Sequence, residues 1–350
     1  MTYDITHDSL AELLADEPAY RVRQVWDGLH RRALRPGEMT DLPLALRDRL
    51  EAALAPGLTE VTRQSADEGE TLKWLWSLAD GSRVESVLMA YPDRVTVCVS
   101  TQAGCAMACT FCATGQAGFR RHLTTGEIVE QVIAATRAAR PRRLSHVVFM
   151  GMGEPLANYD RTWAAVERLH DDLGLSARHL TLSTVGVVPG IRRLTAEALP
   201  VNLAVSLHAA NDELRDQLVP LNRRYPLAEL RRACGTYVET TGRRLSIEWA
   251  LIDAVNDRES DAAELAAFAR PLGAHVNLIP LNPTPGYPVR GTPKAGVRRF
   301  RDALAAADVN VTVRRTRGVE IDAACGQLAA PVPDPSVRSS VPVAVSGTAR

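Results

Sequence analysis

The sequence predicts an α/β protein: an incomplete barrel of six β/α units, preceded by a small helical domain and a short β meander. From residue 95 onward, short β-branched or apolar runs alternate with stretches of helical periodicity. Such alternation is typical of parallel strands joined by right-handed crossovers. Six units rather than eight favour a barrel open on one side over a doubly wound sheet.

Residues 1–57 predict three helices, which we assign to an N-terminal helical domain. Ser9 and Glu12 have the spacing of a capping box at the first helix start. Apolar residues at helical spacing predict a second helix over residues 20–34 and a third over about 41–54. The β-meander extension follows at residues 58–93, where two apolar runs flank a turn-forming Asp-Gly dipeptide at 80–81.

The barrel domain is assigned to residues 94–328. Its strands are expected at residues 95–100, 145–150, 180–184, 203–208, 245–252, 275–281 and 309–315. Its helices are expected near residues 125–139, 158–172, 190–197, 227–240, 258–270 and 294–307. The last 22 residues, 329–350, hold four prolines among small residues, which predicts a disordered tail.

Composition narrows the class of protein. Hydrophobic residues make up 46% of the chain, enough for a sizeable core and too many for disordered or collagen-like classes. The 41 basic residues balance 41 acidic ones, so the overall charge indicates no nucleic-acid partner. No apolar run reaches the ~18 residues of a membrane span, and the acidic start is unlike a signal peptide. We therefore expect a cytoplasmic protein whose six cysteines are ligands, catalysts or core residues.

Three cysteines form a C-x3-C-x2-C motif directly after the first barrel strand. Cys105, Cys109 and Cys112 thereby lie at a strand's carboxyl end, where β/α folds build their sites. Closely spaced thiolates bind iron–sulfur clusters or zinc, and three cysteines on a 4Fe-4S cluster leave one iron open for a small molecule. A zinc site would need a fourth ligand, for which His122 is the nearest candidate. A redox pair of Cys109 and Cys112 is a third possibility, and the spacing favours the cluster.

Polar residues also end several strands on the face where the cysteines lie. Gly153 and Glu154 follow the second strand, and further polar groups end later strands at Ser183, residues 206–208 and Asn282. Taken singly, each is typical of a capped strand end or a glycine turn. Their convergence on one face favours a shared ligand pocket.

Longer motifs carry a close family resemblance. The cysteine segment GCAMACTFCATGQAGF is accompanied by YRVRQVWDGLHRR, MTDLPLALRDRL, FMGMGEPL, LSTVGVVP, SLHAANDELRD, NLIPLNP and RGVEIDAACGQL. With them the chain resembles the bacterial radical S-adenosylmethionine (SAM) adenine-C2 methyltransferases, which act on large-subunit ribosomal RNA and in some cases on tRNA. The resemblance spans about residues 20–328, and its small departures replace no proposed catalytic residue.

The resemblance implies roles for individual residues. The ligands of one 4Fe-4S cluster would be Cys105, Cys109 and Cys112. SAM contacts would be Gly153, Glu154, Ser183, Ser206, Leu207, His208 and Asn282. Cys325 would carry the methyl group as S-methylcysteine, Cys98 would resolve the intermediate through a transient disulfide, and Glu85 would be the proton acceptor. On sequence pattern alone, the two cysteines are typical of buried core residues and Glu85 of a solvent-facing strand position.

The resemblance implies an enzyme that methylates C2 of a specific adenine in 23S rRNA, and in tRNA, with two SAM per turnover. Implied partners are these RNAs and an electron donor such as flavodoxin or its reductase; we expect a monomer. Basic side chains that could contact the RNA backbone are Arg21, Arg23, Arg31, Arg32, Arg120 and Arg121. Alternatives are the sister resistance group that methylates C8, a zinc-stabilised RNA-binding protein without catalysis, and a dithiol oxidoreductase.

Overall fold

The structure is a computed structural model that describes residues 1–282, 284, 289–314, 317–324 and 326–328. The predicted tail and Cys325 lie outside these residues. The strands are β1 (Leu58–Ala66), β2 (Thr71–Leu78), β3 (Arg83–Ala90), β4 (Val95–Cys98), β5 (Gln102–Gly104), β6 (Phe119–His122), β7 (His146–Phe149), β8 (Leu180–Thr184), β9 (Asn202–Ser206), β10 (Leu245–Leu251), β11 (His275–Pro280) and β12 (Asn310–Val313).

Eleven α-helices are found in the described part of the chain. They are α1 (His7–Leu13), α2 (Tyr20–Leu29), α3 (Leu44–Ala53), α4 (Ala113–Gln116), α5 (Thr125–Ala138), α6 (Tyr159–Asp171), α7 (Val188–Thr195), α8 (Asp212–Leu218), α9 (Leu227–Thr241), α10 (Glu259–Ala269) and α11 (Lys294–Ala306). None of these helices is both long and apolar enough to cross a membrane.

Ten strands form one sheet, in the order β1-β2-β3-β4-β7-β8-β9-β10-β11-β12. The pairs from β1 to β4 are antiparallel. From β4 to β12 every neighbouring pair is parallel. Over the described residues β12 pairs with β11 alone, so the sheet stays open and the predicted partial barrel is confirmed.

The barrel strands from β4 to β11 form because at least one face of each is buried. Val97, Val147, Leu203 and Val205 are fully buried, as expected where helices cover a parallel sheet from outside and polar or apolar side chains fill its inside. The predicted strands and helices agree with the structure to within a few residues. Helices α4 and α8, of four and seven residues, and the β5–β6 hairpin were not predicted, because one or two helical turns or a three-residue strand leave too little periodicity in the sequence.

Two predictions for the N-terminal helices are wrong in detail. Helix α1 is capped by Thr6, whose hydroxyl accepts a hydrogen bond from the Ser9 amide at 3.1 Å, so Ser9 lies inside the helix rather than at its start. Helix α2 ends at Leu29 instead of continuing to 34. The chain winds back there: the Leu34 amide donates to the Gly28 carbonyl, and Ala33 adopts a positive φ of 47°.

The helical region packs against the outer helices of the barrel. The Gly126 amide at the start of α5 donates to Asp4 Oδ1 at 2.7 Å, and Arg137 Nε donates to the Ala33 carbonyl at 2.7 Å. Trp26 Nε1 donates to Asp172 Oδ1, just after α6. One continuous apolar core joins these helices, the meander and the barrel.

The meander is part of the central sheet. Strands β2 and β3 pair around the predicted turn, and β3 pairs antiparallel with β4, the first barrel strand. Cys98 on β4 is in register with Val87 on β3. Because alternate residues of a strand share a face, Glu85, Val87 and Cys98 lie on one side of this sheet.

Candidate active site

A cavity opens at the carboxyl ends of the parallel strands, where the sequence predicts a pocket. The empty space in it and at its open mouth is about 860 Å³. The cysteine loop lines it through Cys109 and Cys112. Six of the seven predicted SAM contacts also line it: Gly153, Glu154, Ser183, Ser206, His208 and Asn282.

Leu207 is the predicted SAM contact that the cavity wall does not include. Its side chain is fully buried, so only its backbone is available to neighbours. The Leu207 amide donates to the Glu248 carbonyl, and its carbonyl accepts from Arg215 Nε at 3.0 Å. In this structure Leu207 therefore supports the cavity wall from behind.

Glu154 is a buried carboxyl group held by two backbone amides. Its Oε1 accepts from the Leu156 amide at 3.0 Å, and its Oε2 accepts from the Val185 amide at 2.9 Å. Burial raises the pKa of Glu154 from its ordinary 4.5 to about 7, and these hydrogen bonds lower it only in part. The group is thus poised to gain from a cationic ligand, such as an ammonium.

Gly153 allows the backbone before Glu154 to pass close to the neighbouring strand. It has a φ of +98°, and a Cβ there would lie 2.5 Å from Gln102 Cβ. Gln102 Oε1 in turn accepts a hydrogen bond from the Glu154 amide at 2.9 Å. Any larger residue at 153 would displace Glu154, so glycine is required here by the close packing against Gln102 as well as by the turn.

The cysteine loop brings three thiols into electrostatic contact. Burial, with smaller contributions from nearby Glu154 and Cys112, raises the pKa of Cys105 to about 12. The pKa of Cys109 is raised well above its usual range by burial and by Cys112 and Cys105. Over the described ranges, no three His, Cys, Asp or Glu side chains converge tightly enough to hold a metal ion as they stand.

This donor set nevertheless fits a three-cysteine cluster. Cys109 is buried, Cys105 and Cys112 are half-buried, and the pKa values of Cys105 and Cys109 are raised by burial and by neighbouring thiols. Three thiols placed in this way can all become thiolates only when a cationic centre binds among them. The redox-pair alternative fits poorly, because a reactive thiolate needs a lowered pKa and that of Cys109 is raised. His122, the possible zinc ligand, has its Nδ1 in a hydrogen bond with Gln102 Nε2 at 3.0 Å.

His208 presents one defined nitrogen to the cavity. Its Nδ1 accepts from the Ala250 amide at 3.0 Å, so a neutral ring carries its proton on Nε2. Burial lowers the pKa of His208 to about 3, which keeps the ring neutral. Asn256 Nδ2 donates to the His208 carbonyl at 2.8 Å and supports its positive φ of 63°. His208 is therefore a fixed Nε2–H donor.

Glu248 is a cavity residue that the sequence analysis missed. It lies on β10 in register with Ser206 and Asn277, and Asn277 Nδ2 donates to its Oε1 at 2.9 Å. Its Oε2 is buried with no hydrogen-bond partner among the described residues. Burial raises the pKa of Glu248, and nearby Arg314 lowers it. An orphaned oxygen facing a ligand cavity indicates a donor that arrives with the ligand.

Arg215 is a second missed residue. Its guanidinium is buried and donates to the carbonyls of Leu207 and Val185 and to Asn222 Oδ1. Burial lowers the pKa of Arg215 to about 10, so it stays charged at neutral pH. Its positive charge lowers the pKa of Cys109, although burial outweighs this effect.

A second cavity adjoins the first and contains Cys98. Its other walls include Val87 and Met89 on β3 and Ala323 and Ala324, which precede Cys325 in the chain. The two cavities share four residues: Met150, Ile279, Asn282 and Arg314. Gly326, on the other side of Cys325 in sequence, lines the first cavity.

Glu85 is buried rather than solvent-facing as its sequence pattern suggests. Lys73 on β2 forms an ion pair with it, with Nζ 2.9 Å from Oε1. The Glu85 carbonyl accepts from Ser100 Oγ at 2.6 Å. Glu85 does not line either cavity, but it shares the sheet face of Val87 and Met89, which line the second.

The arginines predicted to contact RNA divide into two groups. Arg32 pairs with Asp41 at 3.0 Å, and Arg121 pairs with Glu127 and Asp80 at 2.8 and 2.7 Å. Arg21 and Arg23 also have partners, Gln24 and Asp27 respectively. Arg31 and Arg120 are exposed and form no ion pair within the part of the chain that the structure describes.

Comparison with known proteins gives consistent matches. The family model of the Radical SAM superfamily matches residues 99–266. A protein of Salinispora tropica named "Probable dual-specificity RNA methyltransferase RlmN" is 56% identical over 327 residues, 90% of this chain and 88% of that protein. One of the same name from Chloroflexus aurantiacus is 50% identical over 360 residues, 97% and 96% of the two chains.

A solved structure agrees. The radical SAM methyltransferase from Sphaerobacter thermophilus superposes with a TM-score of 0.90 and 51% identity, covering 93% of this chain and 98% of that one. These relatives span nearly the whole chain at identities that leave no doubt of common descent. The chain therefore belongs to the radical SAM superfamily and, within it, to the family of the dual-specificity RNA methyltransferases named RlmN.

Proposed function

We propose that this enzyme methylates C2 of a specific adenine in 23S rRNA, and of an adenine in tRNA, with a methyl group carried on Cys325. The observation that carries the proposal is the pair of adjoining cavities. One is lined by the cysteine loop and the residues suited to SAM, and the other by Cys98 and by the residues just before Cys325. The relatives are named dual-specificity RNA methyltransferases, which supports an RNA substrate and a second specificity.

The family implies SAM and a 4Fe-4S cluster, and Cys105, Cys109 and Cys112 are the residues that would hold the cluster. When bound, the cluster supplies the electron that splits SAM and so opens a radical route to C2, a carbon too electron-poor to attack a methyl sulfonium. Arg215 places a fixed positive charge near Cys109. This charge stabilises the thiolate form that binding requires.

The remaining cavity residues bind and orient SAM. The Glu154 carboxylate would accept the ammonium of its methionine part, and the Nε2–H of His208 would donate to a SAM oxygen. Ser183 and Ser206, whose hydroxyl oxygens are 3.3 Å apart, and Asn282 add donors and acceptors on the same wall. The apolar remainder of the lining, with Ala250 and Ile279, excludes water from the reacting carbon.

The side chains around the second cavity complete the reaction. The thiolate of Cys325 takes a methyl group from one SAM by displacement. After a second SAM is consumed and the methyl carbon is bonded to C2, Glu85 would accept the C2 proton, and the one electron that the adduct loses would go to the bound cluster as its acceptor. The thiolate of Cys98 then attacks the sulfur of Cys325, and the bond from that sulfur to the methylene carbon breaks. The methylene carbon takes up a proton to become the methyl group of the released RNA, and a Cys98–Cys325 disulfide remains. A cellular dithiol must reduce that disulfide before the next turnover.

RNA binding is assigned to exposed arginines. Arg31 and Arg120 are the best candidates, because their charges are not committed to an acidic partner within the described residues. Arg23 is exposed and only loosely paired with Asp27, at 3.8 Å. The target adenine must leave its stack to reach the buried cavity. We also propose that the enzyme acts as a cytoplasmic monomer and takes electrons from flavodoxin or its reductase.

Isotope labelling tests the position of the methyl group. The enzyme, with its cluster reconstituted anaerobically, is incubated with ribosomal RNA, reductant and SAM that bears a trideuterated methyl. Nucleosides are then compared by mass spectrometry with 2-methyl- and 8-methyladenosine standards. We expect 2-methyladenosine that retains two of the three deuterons, because the route removes one methyl hydrogen.

The other outcomes are equally informative. 8-Methyladenosine would transfer the enzyme to the C8 group and contradict the C2 assignment. A product that keeps all three deuterons would contradict the radical route. Transfer RNA as substrate in the same assay tests the second specificity, with RNA already methylated at C2 as the control.

A further inference from the structure

Lys73 makes contacts that link the proposed proton acceptor to the C-terminal segment. It is buried on β2. Its Nζ lies 2.9 Å from Glu85 Oε1, 3.2 Å from the Ile321 carbonyl and 3.1 Å from the Asp322 carbonyl. An ammonium has three hydrogens, and these three acceptors use all of them.

The composition makes a lysine at this position noteworthy. Only two of the 41 basic residues are lysines, Lys73 and Lys294; all the others are arginines. Lys294 is exposed at the start of α11, whereas Lys73 is buried. An ammonium places three hydrogens around one compact atom, which suits a carboxylate and two consecutive carbonyls, whereas the five donors of a guanidinium diverge in one larger plane. The site therefore has a geometric reason for lysine in a chain that otherwise uses arginine.

The contacted segment, residues 317–324, leads directly to Cys325. Its start is held by Gly318, whose amide donates to Asp67 Oδ2 at 3.1 Å, and by Arg317, which pairs with Glu70. Its end lines the second cavity with Cys98. Lys73 hydrogen-bonds the middle of the segment to the central sheet, where Ile321 also packs against the core.

We propose that Lys73 is a positioning residue that couples the docking of residues 317–324 to the placement of Glu85. This rests on the proposed function, in which Glu85 accepts the C2 proton and Cys325 carries the methyl group. The ammonium pairs with the buried carboxylate and orients it, and all three of its hydrogens have acceptors only when the segment is docked. Glu85 is thus oriented for proton transfer when the segment that leads to Cys325 is docked.

Hydrogen exchange tests the docking in the protein without cluster or SAM. The amides of Ile321 and Ala323 donate to the Gly318 carbonyl, so the docked segment is protected. In Lys73→Met we expect exchange in residues 317–324 at least about tenfold faster, with other peptides unchanged. Glu85→Gln keeps the lysine on both carbonyls and should exchange like wild type. Lys294→Met is the matched control.

A second variant guards against simple misfolding. Lys73→Met leaves the carboxyl group of Glu85 buried without its lysine partner, which could by itself destabilise the fold. The double variant Lys73→Met/Glu85→Gln removes the carboxyl group and still lacks the hydrogen bonds from Lys73 to the Ile321 and Asp322 carbonyls. We expect the same faster exchange in the double variant. Unchanged exchange in both variants would overturn the docking half of the proposal.

Turnover with RNA tests the coupling to Glu85. Because Glu85 acts after the carbon–carbon bond forms, Lys73→Met should lower turnover by about 10²-fold and accumulate RNA joined covalently to the protein. Lys73→Arg should not rescue it. Reduced turnover without trapped RNA would assign Lys73 a structural role only and overturn the coupling. If wild type itself neither methylates nor traps RNA, the proposed function fails, and exchange still decides the docking.

Discussion

Single residues decide the chemistry of this site through their surroundings. Glu154, Glu248 and Glu85 are all buried carboxyl groups, yet each has different partners: two backbone amides, one side-chain amide, and a lysine ammonium. These environments separate Glu154, which is suited to a cationic ligand, from Glu248, which has an orphaned oxygen, and from Glu85, which is paired with an ammonium. Three glutamates can therefore serve three purposes.

Glu248→Gln tests the orphaned oxygen. The glutamine keeps an oxygen for Asn277 and replaces Oε2, the acceptor without a partner, by an amide donor. If a SAM hydroxyl donates to Oε2, SAM binding to the cluster-loaded enzyme should weaken by roughly tenfold or more, the range for a hydrogen bond to a charged group. Isothermal titration measures this, and unchanged affinity would assign Glu248 to structure alone.

Residue types with a strong motif were predictable, and residues identified only by burial were not. Cys105, Cys109 and Cys112 stand out by spacing. Lys73 and Glu248 lie in strand patterns where alternation suggests a solvent-facing side chain. That inference fails because β2 and β10 are buried on both faces, as their burial patterns show. The local sequence predicts neither the ion pair of Lys73 nor the unpartnered oxygen of Glu248.

At the scale of elements, strands and helices of the barrel were predictable because hydrophobic periodicity follows burial. Helix ends were less so, since a cap depends on one hydroxyl: Thr6 rather than Ser9 caps α1. The short helix α8 was missed although it carries Arg215, which lies behind the cavity wall. Elements that position the site are often shorter than the window in which periodicity is visible.

Helix α5 provides a pH-dependent contact between barrel and N-terminal region. Glu130 Oε2, on α5, accepts a hydrogen bond from the Gly57 amide at 2.8 Å. Burial raises the pKa of Glu130 from 4.5 to about 7. Between these values the folded state holds a proton that the unfolded state has lost. The contribution of Glu130 to stability is therefore complete below pH 4.5, falls as the pH rises to 7, and stays low above it.

Glu130→Gln should remove that dependence. Between pH 5 and pH 7.5 the wild type should lose on the order of 3 kcal/mol of unfolding free energy through Glu130, and the variant should not. The difference in unfolding free energy between the two proteins should therefore change by that amount over this pH range. Denaturant unfolding of the protein without cluster measures it. Taking the difference cancels the contributions of Glu154 and Glu248, whose pKa values are also raised. Parallel curves for both proteins would contradict the assignment.

At the scale of the whole molecule, the sheet joins two parts that the sequence presents separately. The antiparallel meander supplies Glu85 and Lys73, the parallel barrel supplies the cysteine loop and the SAM cavity, and β4 belongs to both with Cys98 at its end. The sequence of apolar runs and turns along the chain predicts the meander and the barrel separately. Their union through β3 and β4 is a tertiary pairing that no local pattern encodes.

On this arrangement rests our proposal that RNA is bonded to the protein during turnover and that Cys98 releases it. The direct measurement is turnover of Cys98→Ala with RNA, reductant and SAM, followed by a denaturing gel and mass analysis of the Cys325 peptide. Cys234→Ala is the control, because Cys234 is buried on α9 and lines neither cavity. We predict an RNA-bearing band of higher mass for Cys98→Ala alone. Normal methylation by Cys98→Ala without that band would contradict the account.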